Sequence, residues 1–384
     1  MIKYRELKRR YELDGPQKTV EHLSEALREK KLRPEDFSLR DLAESLVPDG
    51  GEWVRLLDPR AAGGVNLLES GQGVDVTAFL NVAGQVVYSK IMEAYTQEAF
   101  VVSKLVDTIP TRLDGEKIPG ATVPADGADA IRPGMPYPNV GFGEDYIETP
   151  STTKHGLIVP VTREAIFFDR TNLVLSRAAE VGEVLGLNKE KRLVDLVIGA
   201  TNNYKWRGTS YNTYQTSTPW ANVKSSNELV DWRNVDAAEG LFAEMLEPNT
   251  GEPVLVAANT VLVMPAYRHA AHRVFHAAEI DYATEATTTR VANPLSKYRV
   301  VDSRLAYRRI VAAGATADAA KKWWFLGDFK KAFAYMENWP ITVTQSAPNS
   351  EAEFTNDIVV RFKASERGAA AVLNPRCVVK NYDE

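Results

Sequence analysis

Three histidines with helical spacing are the residues best suited to chemistry in this chain. His269, His272 and His276 occupy positions i, i+3 and i+7 of one predicted helix, and Glu279 follows one turn later. Imidazoles on a shared face can bind Zn²⁺ or Ni²⁺. One straight helix seldom surrounds an ion with three ligands, and no second group of ligands is evident. The pattern therefore favours polar surface or interface histidines, and a metal-dependent enzyme using this helix is kept as an alternative.

The sequence lacks the short motifs that would place catalytic chemistry elsewhere. It contains no G-x-x-x-x-G-K-[ST], no G-x-G-x-x-G, no G-x-S-x-G, no H-E-x-x-H and no C-x-x-C. The remaining histidines, His22 and His155, are isolated. These observations argue against the common NTPase, dinucleotide-binding, hydrolase and zinc-protease classes. We therefore assign no catalytic, cofactor-binding or metal-ligating residue, and we expect a protein that is not an enzyme and carries no cofactor.

Composition sets the broad class. The chain has 384 residues, of which 44% are hydrophobic and 25% charged, as is ordinary for a soluble protein of about two or three domains. Its formal charge of −5 gives no global reason to expect nucleic-acid binding. Cys377 cannot form an internal disulfide and lies in a predicted strand, where we expect a buried thiol. We find neither a membrane-length apolar run nor a secretory signal, so we expect synthesis in the cytosol.

The first part of the chain alternates between helical and extended segments. Residues 1–48 suggest short amphipathic helices without a strong core, and residues 48–74, rich in Gly and Asp, are interpreted as a linker. A helix is predicted over 74–97. Its apolar face comprises Phe79, Val82, Val86, Ile91 and Tyr95.

Residues 107–160 are rich in proline yet keep many apolar side chains, in which a disordered segment would be poor. They predict an extended arm whose apolar residues are buried by another subunit. Those residues are Ile118, Val123, Ile131, Met135, Tyr137, Val140, Phe142, Tyr146 and Ile147.

One long helix is predicted in the middle of the chain. A strand over 156–166 returns from the arm, and the helix then runs from Asp169 or Thr171 to about Ile198. Its apolar stripe comprises Val174, Ala178, Val181 and Leu185. Gly182 and Gly186 lie beside this stripe. Since each glycine costs about 1 kcal/mol relative to Ala in a helix, we expect a close backbone approach or a bend there.

An aromatic tract follows the long helix. Residues 201–227 contain Tyr204, Trp206, Tyr211, Tyr214 and Trp220. Few basic side chains accompany these rings, so a surface that stacks bases and also holds phosphates is disfavoured. We interpret the tract as a surface or inter-subunit insertion. A nucleic-acid-binding protein that uses this tract and the basic N-terminus is an alternative.

The last third of the chain predicts a mixed α/β domain. A buried strand is predicted over 254–264, a helix over 266–280 and a further strand over 298–301. An apolar run beginning at Trp323 is closed by Gly327, and a short helical piece follows.

Three strands are predicted after that piece. The first starts at Pro340 and carries Ile341 and Val343 on one face. The second alternates Ile358, Val360 and Phe362 with Val359, Arg361 and Lys363. Gly368 breaks it, and a return strand runs from Ala371 to about Lys380.

This order of features resembles the C-terminal end of tailed-bacteriophage major capsid proteins. The resemblance rests on Gly327-Asp328-Phe329, on the two alternating strands, and on the segment from Gly368 to Pro375. In element order it extends over residues 74–384. It implies an α+β fold with an N-terminal arm, an extended loop, a peripheral domain with a long spine helix, and an axial domain. The implied divisions are 1–73 (N-terminal helical extension), 74–106 (N-arm helix), 107–165 (extended loop), 166–230 with 345–384 (peripheral domain) and 231–344 (axial domain).

The resemblance implies a structural role in a virion. The chain would be a homo-oligomer whose pentamers and hexamers form an icosahedral head shell around phage DNA, assembled in the host cytoplasm. Portal and scaffolding or decoration proteins are the implied partners, with weak non-specific contact to packaged DNA and no membrane. An encapsulin-like nanocompartment shell is the nearest alternative. Some members of the family join subunits by a Lys–Asn isopeptide bond; Lys154 and Asn356 lie in suitable regions, but no site residue is assigned to that chemistry.

Overall fold

A computed structural model describes residues 4–46, 73–119, 145–248, 250–283, 288–346 and 358–383. The chain divides into two compact units. The first unit comprises residues 1–99, 154–188 and 339–367, and the second comprises residues 100–153, 189–338 and 368–384. The predicted linker over 48–74 lies almost wholly outside the described residues. The division into arm, loop, peripheral and axial domains concerns roles in a shell, so it stays a prediction.

The helices are α1 (Tyr4–Asp14), α2 (Pro16–Arg28), α3 (Leu39–Leu46), α4 (Gly73–Tyr95), α5 (Arg163–Phe167), α6 (Thr171–Val197), α7 (Trp232–Glu244), α8 (Arg268–His276), α9 (Arg304–Ala312), α10 (Ala317–Lys321) and α11 (Phe329–Ala332). The strands are β1 (Asp107–Pro110), β2 (Lys117–Pro119), β3 (Tyr146–Glu148), β4 (Thr153–Thr162), β5 (Tyr204–Trp206), β6 (Thr209–Tyr211), β7 (Val223–Lys224), β8 (Thr260–Val263), β9 (Glu279–Ala283), β10 (Thr288–Ala292), β11 (Arg299–Asp302), β12 (Trp324–Gly327), β13 (Phe333–Gln345), β14 (Ile358–Val372) and β15 (Val378–Asn381). Their sheets have the orders β1-β13-β14-β4, β10-β9, β11-β8-β12-β15-β7 and β2-β3-β5-β6. None of the helices in the described ranges is both long enough and apolar enough to cross a membrane.

The first unit packs helices against strands around one apolar core. The predicted face of α4 is confirmed, because Phe79, Val82, Val86 and Ile91 are buried. The prediction that the N-terminal segment lacks a strong core was wrong. Its helices bury a set of apolar side chains in the same cluster as α4, β4 and β14. Those side chains are Leu23, Leu27, Phe37, Leu39, Leu42, Ala43 and Leu46.

The long helix α6 lies within one residue or so of its predicted bounds. The close backbone approach expected at its glycines occurs at Gly182. A Cβ atom there would overlap the carbonyl oxygen of Ile91 on α4 and would lie 3.0 Å from the Cβ of Ala94. α4 and α6 can therefore approach each other this closely only because position 182 has no side chain.

The second unit has helices on both faces of its five-stranded sheet. Val261 and Val263 of β8 face a cluster with α7 and α8, whereas Leu262 faces a cluster with α9 and α10. β8 and β11 are parallel and are connected through α8. This arrangement buries both faces of the central strand, as the apolar sequence of β8 predicts.

Two elements of this unit are shorter than predicted. The strand predicted over 254–264 is paired only over β8, because its neighbours β11 and β12 each offer four residues. The helix predicted over 266–280 ends at His276. The side-chain Nδ2 of Asn293 donates to the carbonyl oxygen of Val274 at 2.9 Å, occupying an acceptor that a further helical turn would use. Glu279 consequently begins β9 and does not continue the histidine helix.

The C-terminal strands also differ from prediction. β13 starts at Phe333; Pro340 lies inside it, beyond the residues paired with β1, where a missing N–H costs no bond on that side. Gly368 does not break β14. A Cβ there would lie 2.6 Å from the Tyr335 ring and 2.7 Å from the Met336 oxygen, so glycine permits close strand packing. Cys377 is buried as predicted but lies in a 3₁₀ turn, and burial raises its pKa to about 11.

The strand predicted over 156–166 ends earlier, at Thr162. The hydroxyl oxygen of Thr162 accepts a hydrogen bond from the N–H of Ala165 at 3.3 Å and so caps α5. The chain therefore turns helical before the long helix begins.

Candidate functional site

The predicted arm is attached to a small sheet in the second unit. β2 and β3 pair antiparallel with Pro119 opposite Tyr146, and β3 pairs on its other side with β5. The chain therefore leaves this sheet and returns to it at adjacent positions. Ile147 is buried in the sheet, and Ile118 and Tyr146 are half-buried. The arm's other predicted apolar residues, Val123, Ile131, Met135, Tyr137, Val140 and Phe142, lie outside the described residues.

Short polar side chains fasten the two ends of the arm to each other. The carboxylate of Asp114 accepts hydrogen bonds from the backbone N–H of Thr152 at 2.7 Å and from its hydroxyl at 3.0 Å. Glu116 and Thr149 exchange a second pair: the N–H of Glu116 donates to Thr149 Oγ1 at 2.9 Å, and the N–H of Thr149 donates to the Glu116 oxygen at 2.9 Å. These bonds fix the outgoing and returning segments side by side.

Charged groups join the same segments to β5. Lys205 donates to the carboxylate of Glu148, and Lys117 Nζ lies 3.7 Å from that carboxylate. The hydrogen bond from Lys205 lowers the pKa of Glu148, against the opposing effect of desolvation. Trp206 Nε1 donates to Asp145 Oδ1 at 2.5 Å. The base of the arm is thus held by side chains as well as by the ladder.

The outer strand of the four-stranded sheet is the second feature suited to subunit contact. β4 is the last strand of its sheet, so one edge has no partner strand in the described part of the chain. Leu157 and Ile158 on this strand are 38% and 53% exposed. An edge strand with exposed apolar side chains can pair with a strand of another chain. Pro160 lacks an N–H, so the stretch able to donate to another strand ends with the part that carries Leu157 and Ile158.

The three histidines of the candidate metal-binding helix lie on the surface. His269, His272 and His276 are all exposed on α8, and the ring centroids of His272 and His276 are 5.2 Å apart. No group of three His, Cys, Asp or Glu side chains in the described ranges is arranged to hold an ion. Glu279 lies on β9, away from the helical spacing that suggested it as a fourth ligand. The exposed imidazoles fit the surface or interface interpretation.

The aromatic tract packs inward, contrary to the predicted surface insertion. Tyr204 and Trp220 are buried, and their rings meet edge to face with centroids 5.4 Å apart. Trp206, Tyr211 and Tyr214 are half-buried against the same cluster. The hydroxyl of Tyr214 donates to the carbonyl oxygen of Val197 at 2.5 Å. Rings that are packed in a core offer no face for bases to stack on.

The two residues of the isopeptide possibility are not brought together by any described contact. Lys154 is exposed near the start of β4, with its Nζ 5.9 Å from the centroid of the Trp339 ring. Asn356 lies outside the described residues. No residue is assigned to this chemistry.

A cavity of about 480 Å³ in the second unit contains a lysine that sequence reasoning missed. Its walls come from the end of α6 and from α9, with Trp323 and Lys380. The Lys380 ammonium lies 3.5 Å from the centroid of the Trp323 ring, and no carboxylate in the described residues forms an ion pair with it. Burial lowers the pKa of Lys380 to about 8. The position of Lys380 in the alternating sequence of β15 was the sequence feature that could have indicated its burial.

Comparison with known proteins identifies the family. The family described as phage capsid protein matches residues 146–381, more than half of the chain. The chain belongs to this family. It is a structural subunit of a phage capsid, and the predictions of a tailed-phage major capsid protein and of an α+β fold are confirmed. No curated protein matches the chain.

Solved capsid structures are similar over most of the chain. The capsid of a native GTA particle is 12% identical, with 75% of this chain and 91% of that chain covered and a TM-score of 0.45. A structure from Mycobacterium phage Cain is 16% identical, with coverage of 75% and 91% and a TM-score of 0.45. The capsid of Cyanophage P-SCSP1u is 13% identical, with coverage of 73% and 86% and a TM-score of 0.41.

Proposed function

We propose that this phage capsid subunit builds pentamers and hexamers of an icosahedral head shell that encloses phage DNA. The observation that carries the proposal is the family match over residues 146–381. Closed shells need subunits with several different contact surfaces, because many weak contacts then add up around a closed symmetry. The arm and the exposed apolar side chains of β4, Leu157 and Ile158, are two such surfaces.

The arm acts by covering a neighbouring subunit. Its two ends lie side by side at Pro119 and Tyr146, where the β2–β3 pair holds them. Burial of the apolar residues of the arm against another subunit lowers the free energy of the assembly. The exposed part of β4, with Leu157 and Ile158, is available to a strand of a neighbouring copy.

The proposal extends to partners and place. The chain catalyses no reaction, and the shell assembles in the host cytoplasm with portal and scaffolding or decoration proteins. Contact with packaged DNA is weak and non-specific, because a net charge of −5 disfavours tight binding of a polyanion. The arm, loop, peripheral and axial divisions predicted from the sequence are the functional domains of this subunit.

Light scattering coupled to size-exclusion chromatography, followed by negative-stain electron microscopy, tests the proposal on the expressed full chain. We expect rings or closed shells. A protein that stays monomeric at all accessible concentrations, with a native circular-dichroism spectrum, would contradict it.

A variant designed on the β2–β3 register tests the arm. Replacing residues 120–144 by Asn-Gly leaves a three-residue connection between Pro119 and Tyr146, a length that antiparallel pairs accept. We expect a folded subunit that forms no closed shells. A variant with the same arm composition in scrambled order is the control for length: it should also fail to close shells, and normal shells from either variant would argue against the arm.

A further inference from the structure

The helical layer over one face of the second unit's large sheet has two chemically different sides. α7 contacts β15 and leads into residues 245–259, whereas α8 contacts β11 at the opposite edge of the sheet. The two sides therefore lie over different strands of the sheet.

The β15 side displays apolar side chains on an anchored hairpin. Leu255 is 93% exposed and Leu246 is 52% exposed. Leu246 and Pro253 form a β-bridge, which places both leucines on one two-stranded turn. The turn is anchored by Glu247, whose fully buried carboxylate accepts from the buried guanidinium of Arg376. The leucines are thus exposed to water on a hairpin whose backbone is already fixed. Such a hairpin loses little conformational entropy when it binds another surface.

The same side carries an acidic group. Glu244, at the end of α7 and next to the hairpin, is exposed and forms no ion pair within the described residues. The side is therefore apolar with a negative border.

The exposed residues of α8, on the β11 side, are basic. Every charged or ionisable residue of α8 is a cation or an imidazole, and all of them are exposed. Arg268 Nε lies 3.5 Å from Asp302 Oδ1. Arg273 is exposed, and no ion-pair partner contacts it in the described part of the chain. Long arginine stems and imidazole rings also offer apolar surface to a leucine.

We propose that the leucine hairpin of one subunit docks on α8 of a second copy, with Glu244 of the first opposite Arg273 of the second. A ring of identical subunits needs this kind of contact, in which two different and complementary patches meet head to tail. The leucine hairpin lies near β15 and α8 lies over the edge strand β11, so the two patches of one molecule cannot contact each other. Charge complementarity favours a second copy in this orientation, because two hairpin sides or two α8 sides would bring like charges together. The inference rests on the proposed shell function and names the surfaces that join its rings.

Leu255→Ser tests the hairpin on the full chain. We expect a folded monomer and at least about a tenfold increase in the concentration at which rings form. Leu13→Ser is the matched control, since Leu13 is 72% exposed on α1 of the first unit; it should assemble like the wild type. Rings from Leu255→Ser at the wild-type concentration would overturn the inference, whereas a wild-type chain that never assembles would contradict the shell function itself.

Charge reversal tests the pairing. Arg273→Glu and Glu244→Arg should each weaken ring formation, and the double variant should recover most of the loss, which a merely structural role would not produce. A double variant no better than the single ones would overturn the inference. So would Arg273→Glu particles that assemble normally but contain less DNA, because α8 would then face the packaged polyanion.

Discussion

The two units are stabilised by different kinds of buried side chain. Within the described residues, the first unit buries few polar side chains: Thr19, Thr171, Ser365 and Glu366. The second unit buries a larger set of charged and amide side chains: Glu190, Asn222, Asn227, Glu247, Asn293, Asp328, Arg376 and Asn381. The difference follows from the backbone that each unit must satisfy.

Irregular connections in the second unit need side-chain partners. The Glu190 carboxylate accepts the N–H groups of Val101, Val102 and Ser103 at 2.9, 2.7 and 2.8 Å. Asn222 donates to three carbonyl oxygens, including that of Pro375 at 2.9 Å. Helices such as α2 and α4 satisfy most of their own backbone, so apolar packing suffices in the first unit. The second unit should therefore be sensitive to lost polar partners, and the first to added volume.

The largest effect is expected from the buried pair in the second unit. Glu247→Ala leaves the guanidinium of Arg376 buried without its carboxylate, which should lower the free energy of unfolding by about 3–5 kcal/mol. Urea denaturation followed by tryptophan fluorescence measures it.

Two further variants sharpen this prediction. Glu247→Leu with Arg376→Met should recover much of the loss, because two apolar groups leave no unpaired charge. Arg290→Gln removes an exposed ion pair with Asp281 and should change stability by less than about 1 kcal/mol. If Glu247→Ala and Arg290→Gln lowered the free energy of unfolding equally, the buried pair would have no special importance for the second unit.

A smaller effect is expected from added volume in the first unit. Gly182→Ala places a methyl group against the Ile91 carbonyl, so α4 and α6 must separate, at a cost of about 1–3 kcal/mol despite alanine's better helix propensity. Gly240→Ala on α7 is the control, since a Cβ there meets nothing within 4 Å. It should stabilise by up to about 1 kcal/mol. Thermal unfolding of both variants decides: a neutral Gly182→Ala would mean that the helix contact is loose.

These positions also mark what sequence reasoning could and could not reach. The stripes of α4 and α6 and the need for Gly182 were predictable, because helical periodicity and the cost of a helix glycine are local properties. The straight passage of β14 through Gly368 was not, since it depends on Tyr335, which is distant in sequence. The same holds for the exposed Leu255: an apolar run in a sequence does not say where its partner strands end. The inward packing of the aromatic tract was missed for the same reason.

The smallest effect is expected from Lys380, a buried charge with no carboxylate partner among the described residues of the second unit. Its folded-state pKa of about 8 lies below the ordinary value of 10.5, so the folded state holds this proton less tightly than the unfolded state. Stability should therefore rise as the pH increases from about 8 to about 10.5. Lys380→Met should stabilise the protein at pH 7 by about 1–2 kcal/mol, because the contact with Trp323 offsets part of the cost of burial.

The pH dependence separates this explanation from a general packing effect. The advantage of Lys380→Met over the wild type should shrink towards zero between pH 8 and 10.5, as the wild-type amine becomes neutral in both states. Lys330→Met, at an exposed position on α11, is the control for the loss of one positive charge. Urea denaturation at pH 7, 9 and 10.5 measures the three proteins together. If Lys380→Met were less stable than the wild type at pH 7, the contact with Trp323 would outweigh desolvation, and this lysine would join the polar groups that stabilise the second unit.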